Sequence, residues 1–208
     1  CEKTGADIEE LSKAIGSDHR IGPYFLKASV GFGGSCFQKD ILNLVYLCKH
    51  YGLDEVAEYW SQVVKINNYQ KDRFAKKIID HFGGDLIGKK IAILGWSFKA
   101  NTNDSRESAS ILVTEKLYNA GADLEVFDPK VTSKTIEDDI NFYWQSNFKH
   151  VSRKLIINAE LKFDSNIDAY ALLTEWNDFK NIDTSKTKVF DGRGILENSF
   201  FTIGKKPD

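Results

Sequence analysis

Lys90-Ile91-Ala92-Ile93-Leu94-Gly95 and Asp123-Leu124-Glu125-Val126-Phe127-Asp128 are two short strand-like runs, and residues 108–119 between them carry a helical pattern closed by Gly121. Runs this short, rich in branched residues and bounded by Gly and Asp, read as strands. Strand, helix and strand in that order make a βαβ unit, so the second half of the chain is expected to form a doubly wound parallel sheet. Lys154-Leu155-Ile156-Ile157, Ala169-Tyr170-Ala171-Leu172-Leu173 and Lys188-Val189-Phe190-Asp191 continue the sheet. Residues 132–151, rich in Asp, Asn and aromatics, read as an irregular surface insertion.

Working upstream, Gly83-Gly84 closes the longest helical pattern of the chain, residues 55–82, with Val56, Tyr59, Trp60, Val63, Ile66, Phe74, Ile78 and Ile79 on one broad stripe. At about 1.5 Å per residue this helix spans roughly 40 Å. It reads equally as a bridge between domains or subunits and as a buried core helix. The glycine pair places a domain boundary between residues 1–84 and 85–208. Residues 7–15 carry a short helical pattern with Asp7 as N-cap and Gly16 as stop.

Between the two helical patterns lies Phe25-Leu26-Lys27-Ala28-Ser29-Val30-Gly31-Phe32-Gly33-Gly34-Ser35-Cys36-Phe37-Gln38-Lys39-Asp40. Its glycines permit positive φ and close approach, and a helix expected to end near Gly52 begins just after Cys36. A thiol at a helix N-terminus, with Lys39 one turn on, meets unpaired N–H groups and the positive end of the dipole, which favour thiolate. Cys36 is therefore a candidate nucleophile. The same pattern also describes a plain tight turn followed by a small buried hydrophobe.

Parallel sheets bind ligands beyond the carboxyl ends of their strands. The loop after the first strand lacks the two further glycines of a dinucleotide fingerprint, which argues against such a site in this half, although Asp128 ends the next strand where a ribose-binding acid would sit. That loop offers two cations, Lys99 and Arg106, and the last strand presents Arg193 between two glycines, all suited to an anion or, alternatively, simply solvated. Glu175 reads as a helix cap and Trp176 as core.

A net charge of −2 over 208 residues gives no global attraction to nucleic acid or an anionic membrane. No apolar run reaches membrane-spanning length. Cysteines at 1, 36 and 48 make no disulfide framework, pointing to a reducing, cytoplasmic setting, and the four histidines show no metal-ligand spacing. The chain starts at Cys1 and contains no Met, which reads as a piece of a longer protein.

The cysteine stretch, together with Ile91-Ala92-Ile93-Leu94-Gly95-Trp96-Ser97-Phe98-Lys99, Asp104-Ser105-Arg106-Glu107-Ser108 and Phe190-Asp191-Gly192-Arg193, closely resembles the UDP-glucose/GDP-mannose dehydrogenase family, above all its animal-type members that oxidise UDP-glucose. The likeness is weakest at residues 132–167. It implies a helical central, dimerisation region with a long connecting helix, followed by a Rossmann-like UDP-binding domain. It further implies oxidation of UDP-glucose to UDP-glucuronate with two NAD, in a homodimer or higher oligomer. Cys36 would form a thiohemiacetal and then a thioester, with Asp40 holding the catalytic water. Cys36, Phe37, Gln38, Lys39 and Arg106 would face NAD. Lys27, Ala28, Ser29, Val30, Gly31, Phe32 and Gly33 would embrace the substrate, Lys99 and Arg193 would bind it from the sheet, and Arg20 would reach it across a subunit interface.

Two departures qualify the resemblance. Gly194 stands where family members carry a second Arg, and nothing in this chain corresponds to their amino-terminal half, with its Gly-rich NAD domain, catalytic glutamate, and the lysine and asparagine before the cysteine loop. The 208 residues alone are thus expected not to turn over UDP-glucose. Other readings are a dehydrogenase of UDP-N-acetylmannosamine or GDP-mannose, a non-catalytic UDP-binding and oligomerisation module, and a cysteine hydrolase.

Overall fold

The computed structural model describes residues 1–144, 153–164, 166–183 and 185–206. Three helices come first: α1 (Ile8–Gly16), α2 (Phe37–His50) and the 28-residue α3 (Asp54–His81). Then follow β1 (Lys90–Leu94), α4 (Ala109–Asn119), β2 (Asp123–Phe127), α5 (Ser133–Tyr143), β3 (Leu155–Ile157), β4 (Ala169–Leu172), a 3-10 helix (Asn177–Asn181), β5 (Lys188–Asp191) and β6 (Phe201–Thr202).

The strands form one parallel sheet in the order β3-β2-β1-β4-β5-β6. Strands in such a sheet are covered on both faces, which is why Ile91 to Leu94 of β1 read as a continuous apolar run, while β2 carries the buried Glu125 at its centre. On one face Ile91, Ile93 and Val126 pack with Phe74 and Ile78 of α3, Val113 and Leu117 of α4, and Ile136 and Ile140 of α5. On the other face Leu94, Phe127 and Leu172 meet Trp176 and Phe179 around the 3-10 helix.

Two expectations are corrected. Residues 133–143 are helical, not irregular: Thr132 caps α5 by accepting from the Thr135 N–H, and Ile136 and Ile140, one turn apart, enter the core. The remainder of that expected insertion, from 145 on, lies outside the described residues. The sheet also has a strand that the sequence reading lacked, β6. It runs parallel to β5 and is joined to it by residues 192–200 without a helix, where such crossovers usually take a dozen residues or more.

The α3 stripe divides in two. Phe74, Ala75 and Ile78 enter the sheet core, while Val56, Tyr59, Trp60, Ile66 and Tyr69 remain exposed. Leu42, Tyr46 and Leu47 of α2, which packs on α3, add to this apolar face.

Candidate active site

Cys36 is the N-cap residue of α2. Its thiol is exposed and makes no capping bond, and the Ser35 hydroxyl lies 3.6 Å from Sγ. Asp40 is one turn on, its N–H donating to the Cys36 carbonyl at 2.8 Å. Phe37, Lys39 and Asp40 are exposed like Cys36, while Gln38 is half-buried and donates to Glu107 Oε2 at 3.1 Å.

The loop that delivers Cys36 is held from two sides. Asn67 of α3, 4% exposed, accepts from the Phe32 N–H at 2.8 Å and donates to the Phe32 carbonyl at 3.0 Å. Gln70, one turn along, donates to the Ser29 carbonyl at 3.0 Å. On the sheet side the Gly34 N–H donates to the Arg106 carbonyl at 2.8 Å, and a Cβ at Gly33 would lie 2.5 Å from the Glu107 carbonyl oxygen. No side chain fits there without parting the two backbones. Glu107 itself takes φ +55°, an unusual conformation for a residue with a Cβ. Val30 is fully buried, with its Cγ1 where a Cβ on Gly192 would stand. The loop therefore crosses the carboxyl ends of the sheet, where such folds place ligands.

Three cations border it. Arg106 is 62% exposed and forks onto Asp104 at 2.9 and 2.8 Å. Its guanidinium is held in the charged form chiefly by Asp104. Lys99 is exposed, its ammonium 5.3 Å from the centre of the Phe98 ring, and that ring lies under Gly34. Arg193 has a side chain only 12% exposed; it donates to the Leu173 carbonyl at 2.7 Å and the Phe98 carbonyl at 2.9 Å, and pairs with Glu175 at 3.3 Å. Burial pushes its pKa down, opposed by Glu175 and Asp191.

Glu175 is thus an ion-pair partner and not the helix cap it was expected to be; Trp176 takes the cap position and is buried as expected. Asp128 does not face a ribose either. Its carboxylate accepts from the N–H groups of Trp96, Ser97, Lys130 and Val131, the Ser97 hydroxyl and the Trp176 indole, all within 3.1 Å. Asp191 does the same at the end of β5, accepting four N–H groups of residues 193–196 at 2.8 to 2.9 Å. Both acids hold the loops at the carboxyl ends in place.

The structure therefore gathers Ala28 to Gln38, Lys99, Arg106 and Arg193 at the carboxyl ends of the strands. Lys27 is exposed where the loop begins. Arg20 stands apart, forked onto Asp18 in the loop after α1. The sequence reading missed Asn67, Gln70, Phe98 and Glu107, and also Lys71, which is 4% exposed against Gly31 and whose pKa is pushed down by burial, opposed by Glu107 and Asp72. The three on α3 had one signal, polar residues at helical spacing, Asn67, Gln70 and Lys71, interrupting the apolar stripe; Phe98 and Glu107 had none. A groove of about 750 Å³ between residues 185–189 and 197–200, with Ile182 and Asp183 at its side, holds none of the expected site residues. Among the described residues no cluster of His, Cys, Asp and Glu could hold a metal ion, and no helix is long and apolar enough to cross a membrane.

Residues 1–69 match the central domain of the UDP-glucose/GDP-mannose dehydrogenase family, and residues 92–198 match its UDP binding domain. The chain is 46% identical to UDP-glucose 6-dehydrogenase from Gallus gallus, over 99% of this chain and 46% of that protein. It is 45% identical to UDP-glucose 6-dehydrogenase 4 from Arabidopsis thaliana, over 98% of this chain and 46% of that one. Among solved structures, a UDP-glucose dehydrogenase from Pyrobaculum islandicum superposes with a TM-score of 0.73 at 28% identity, covering 95% of this chain and 44% of the other. The chain thus spans a little under half the length of the relatives it matches.

Proposed function

The chain belongs to the UDP-glucose/GDP-mannose dehydrogenase family, and we propose that it carries the nucleophile and the UDP-sugar-binding face of an NAD-dependent UDP-glucose 6-dehydrogenase. The observation that supports this reading most is the exposed Cys36 thiol at the N-terminus of a 14-residue helix, on a loop fixed across the carboxyl ends of the sheet.

In this reading the Cys36 thiolate adds to the C6 aldehyde of the partly oxidised sugar, forming a C–S bond and a thiohemiacetal. Oxidation of that adduct leaves a thioester on Cys36. Water, held by Asp40 one turn along the helix, attacks the thioester; the C–S bond breaks, and the carboxylate and thiolate are released. NAD, when bound, would accept a hydride in each of the two oxidations. The exposed charges of Arg106 and Lys39, with Phe37 and Gln38, suit the rim of that cofactor, whereas the glycine-poor loop after β1 and the fully engaged Asp128 do not suit its main site. Lys27 to Gly33, Lys99 and Arg193 bind UDP-glucose, and Arg20 reaches a neighbouring subunit's substrate. The apolar face of α2 and α3 supports a homo-oligomer, and the odd, unpaired cysteines support a cytoplasmic setting.

Melting the 208-residue chain with UDP-glucose, UDP and GDP tests the substrate class. Stabilisation by the two uridine nucleotides and not by GDP is expected; stabilisation by GDP alone would point to a GDP-sugar dehydrogenase. Without the remaining half of its relatives' length the chain is expected not to reduce NAD, and turnover at an intact enzyme's rate would refute that.

A further inference from the structure

We propose that Asn67 is the positioning residue that sets the conformation of residues 31–36, and through them the placement of Cys36; this rests on the reading of Cys36 as the nucleophile. A loop of three glycines in four positions has more backbone freedom than any other stretch of this chain, so its shape must be imposed from outside. On the sheet side the constraint is mostly contact: Gly33 against the Glu107 carbonyl, and Gly34 over the Phe98 ring with one N–H bond to Arg106. Contact of this kind limits how close the loop comes, and leaves it free to rotate.

Asn67 removes that freedom. Its amide faces the Phe32 residue as a neighbouring strand would, one acceptor for the N–H and one donor for the carbonyl, at 2.8 and 3.0 Å. Two opposed bonds to one residue fix both its position and its rotation, which a single bond cannot do. Gly31 makes the approach possible: it takes φ +124°, and a Cβ there would stand 2.7 Å from Asn67 Oδ1. Phe32 in turn meets the ring of Phe37 edge-on, with centroids 4.7 Å apart, and Phe37 is the residue directly after Cys36. The orientation imposed on Phe32 thus passes to the first turn of α2, where the thiol stands. No other residue type matches both Phe32 groups at this length: Asp loses the donor, Leu loses both, and Gln is a methylene too long.

The test uses the 208-residue chain. Amide exchange of Phe32 and the pH profile of Cys36 alkylation by iodoacetamide, read by peptide mapping, are measured for wild type, Asn67→Ala, Asn67→Asp and Ile78→Val, the last a core change away from the loop. Asn67→Ala is expected to speed Phe32 exchange about tenfold, the equivalent of one lost hydrogen bond, and to move the Cys36 profile toward that of a short cysteine peptide. Asn67→Asp, which keeps the acceptor, is expected to have an intermediate effect and decides the matter if the alanine variant does not fold. Unchanged Phe32 exchange in the Asn67 variants would overturn the proposal, as would an equal change of the Cys36 profile in Ile78→Val. A wild-type profile identical to that of the peptide would count against Cys36 as nucleophile, while Phe32 exchange would still decide the role of Asn67.

Discussion

Glu2 ties the start of the chain to the sheet, and replacing it with Gln is expected to remove a defined, pH-dependent part of the stability. Its carboxylate, 11% exposed, is gripped by both terminal nitrogens of Arg73, at 2.6 and 2.9 Å, by Lys77 at 3.3 Å and by the Gly204 N–H at 3.1 Å. Burial alone would raise its pKa; the hydrogen bonds from Arg73 and Gly204 and the charges of Arg73 and Lys77 outweigh it and hold the group at about 2, from an ordinary 4.5. At about 1.36 kcal/mol for each tenfold change in proton affinity, this is worth about 3 kcal/mol at neutral pH. The folded-state value is the depressed one, so the stabilisation is complete above pH 4.5 and is lost as the pH falls from 4.5 to about 2. Urea unfolding of wild type and Glu2→Gln should differ by about 3 kcal/mol at pH 7, or about 6–12 °C in melting temperature for a chain of this size, and by roughly half of that or less at pH 3. A difference that stays constant between pH 7 and pH 3 would show that Glu2 acts by packing alone and refute the charge linkage.

Gly33→Ala would push a Cβ to 2.5 Å from the Glu107 carbonyl, so the cysteine loop must lift from the sheet; a cost of about 1–3 kcal/mol in thermal unfolding and a faster-exchanging Gly34 amide are expected. Asp128→Ala strips partners from six donors at the carboxyl ends of β1, β2 and β4, and should cost about 3 kcal/mol or more by urea titration; a loss under 1 kcal/mol would mean that water replaces the carboxylate. Changing exposed Tyr59 and Trp60 together to Asp should turn any oligomer of the chain into a monomer by light scattering, with little change in the melting temperature of the monomer.

The sheet was legible because strands covered on both faces need mostly apolar side chains: Ile91 to Leu94 of β1 supply them without a break, and β2 is interrupted only by the buried Glu125, whose carboxylate accepts from Asn158 at 3.0 Å. Helix α5 was not, since only Ile136 and Ile140 enter the core and three acidic residues lie between them; its clearest local mark was the Thr132 cap. Strand β6 pairs over two residues, Phe201 and Thr202, and so has no periodicity to read. In the site, glycine spacing and a helix start marked the Cys36 loop, both being local properties. Its supports are 35 residues away at Asn67 and 69 at Glu107, counted from Phe32 and Gln38, and sequence patterns carry no distance of that kind. Arg193 and Glu175 show the same limit: each was visible at a strand end, and only the fold makes them partners.

The Glu2 clamp and the cysteine loop belong to one network. Arg73, whose terminal nitrogens hold Glu2, donates through Nε to Gln70 Oε1 at 3.0 Å, and Gln70 donates to the Ser29 carbonyl at 3.0 Å. The Ser29 hydroxyl then accepts from the Gly31 N–H at 3.0 Å, one residue before the segment that Asn67 grips. Helix α3 therefore holds the loop at two points one turn apart. The Gln70 contact depends on Arg73 being kept in place by a charged Glu2, whereas the Asn67 contact depends on no ionised group. Replacing Glu2 with Gln removes that charge at any pH and should loosen Gly31 while leaving Phe32 protected, so amide exchange of Glu2→Gln at neutral pH ought to separate the two points. Loss of protection at Gly31 and Phe32 together would mean that the loop opens as one unit and that the two contacts are not independent.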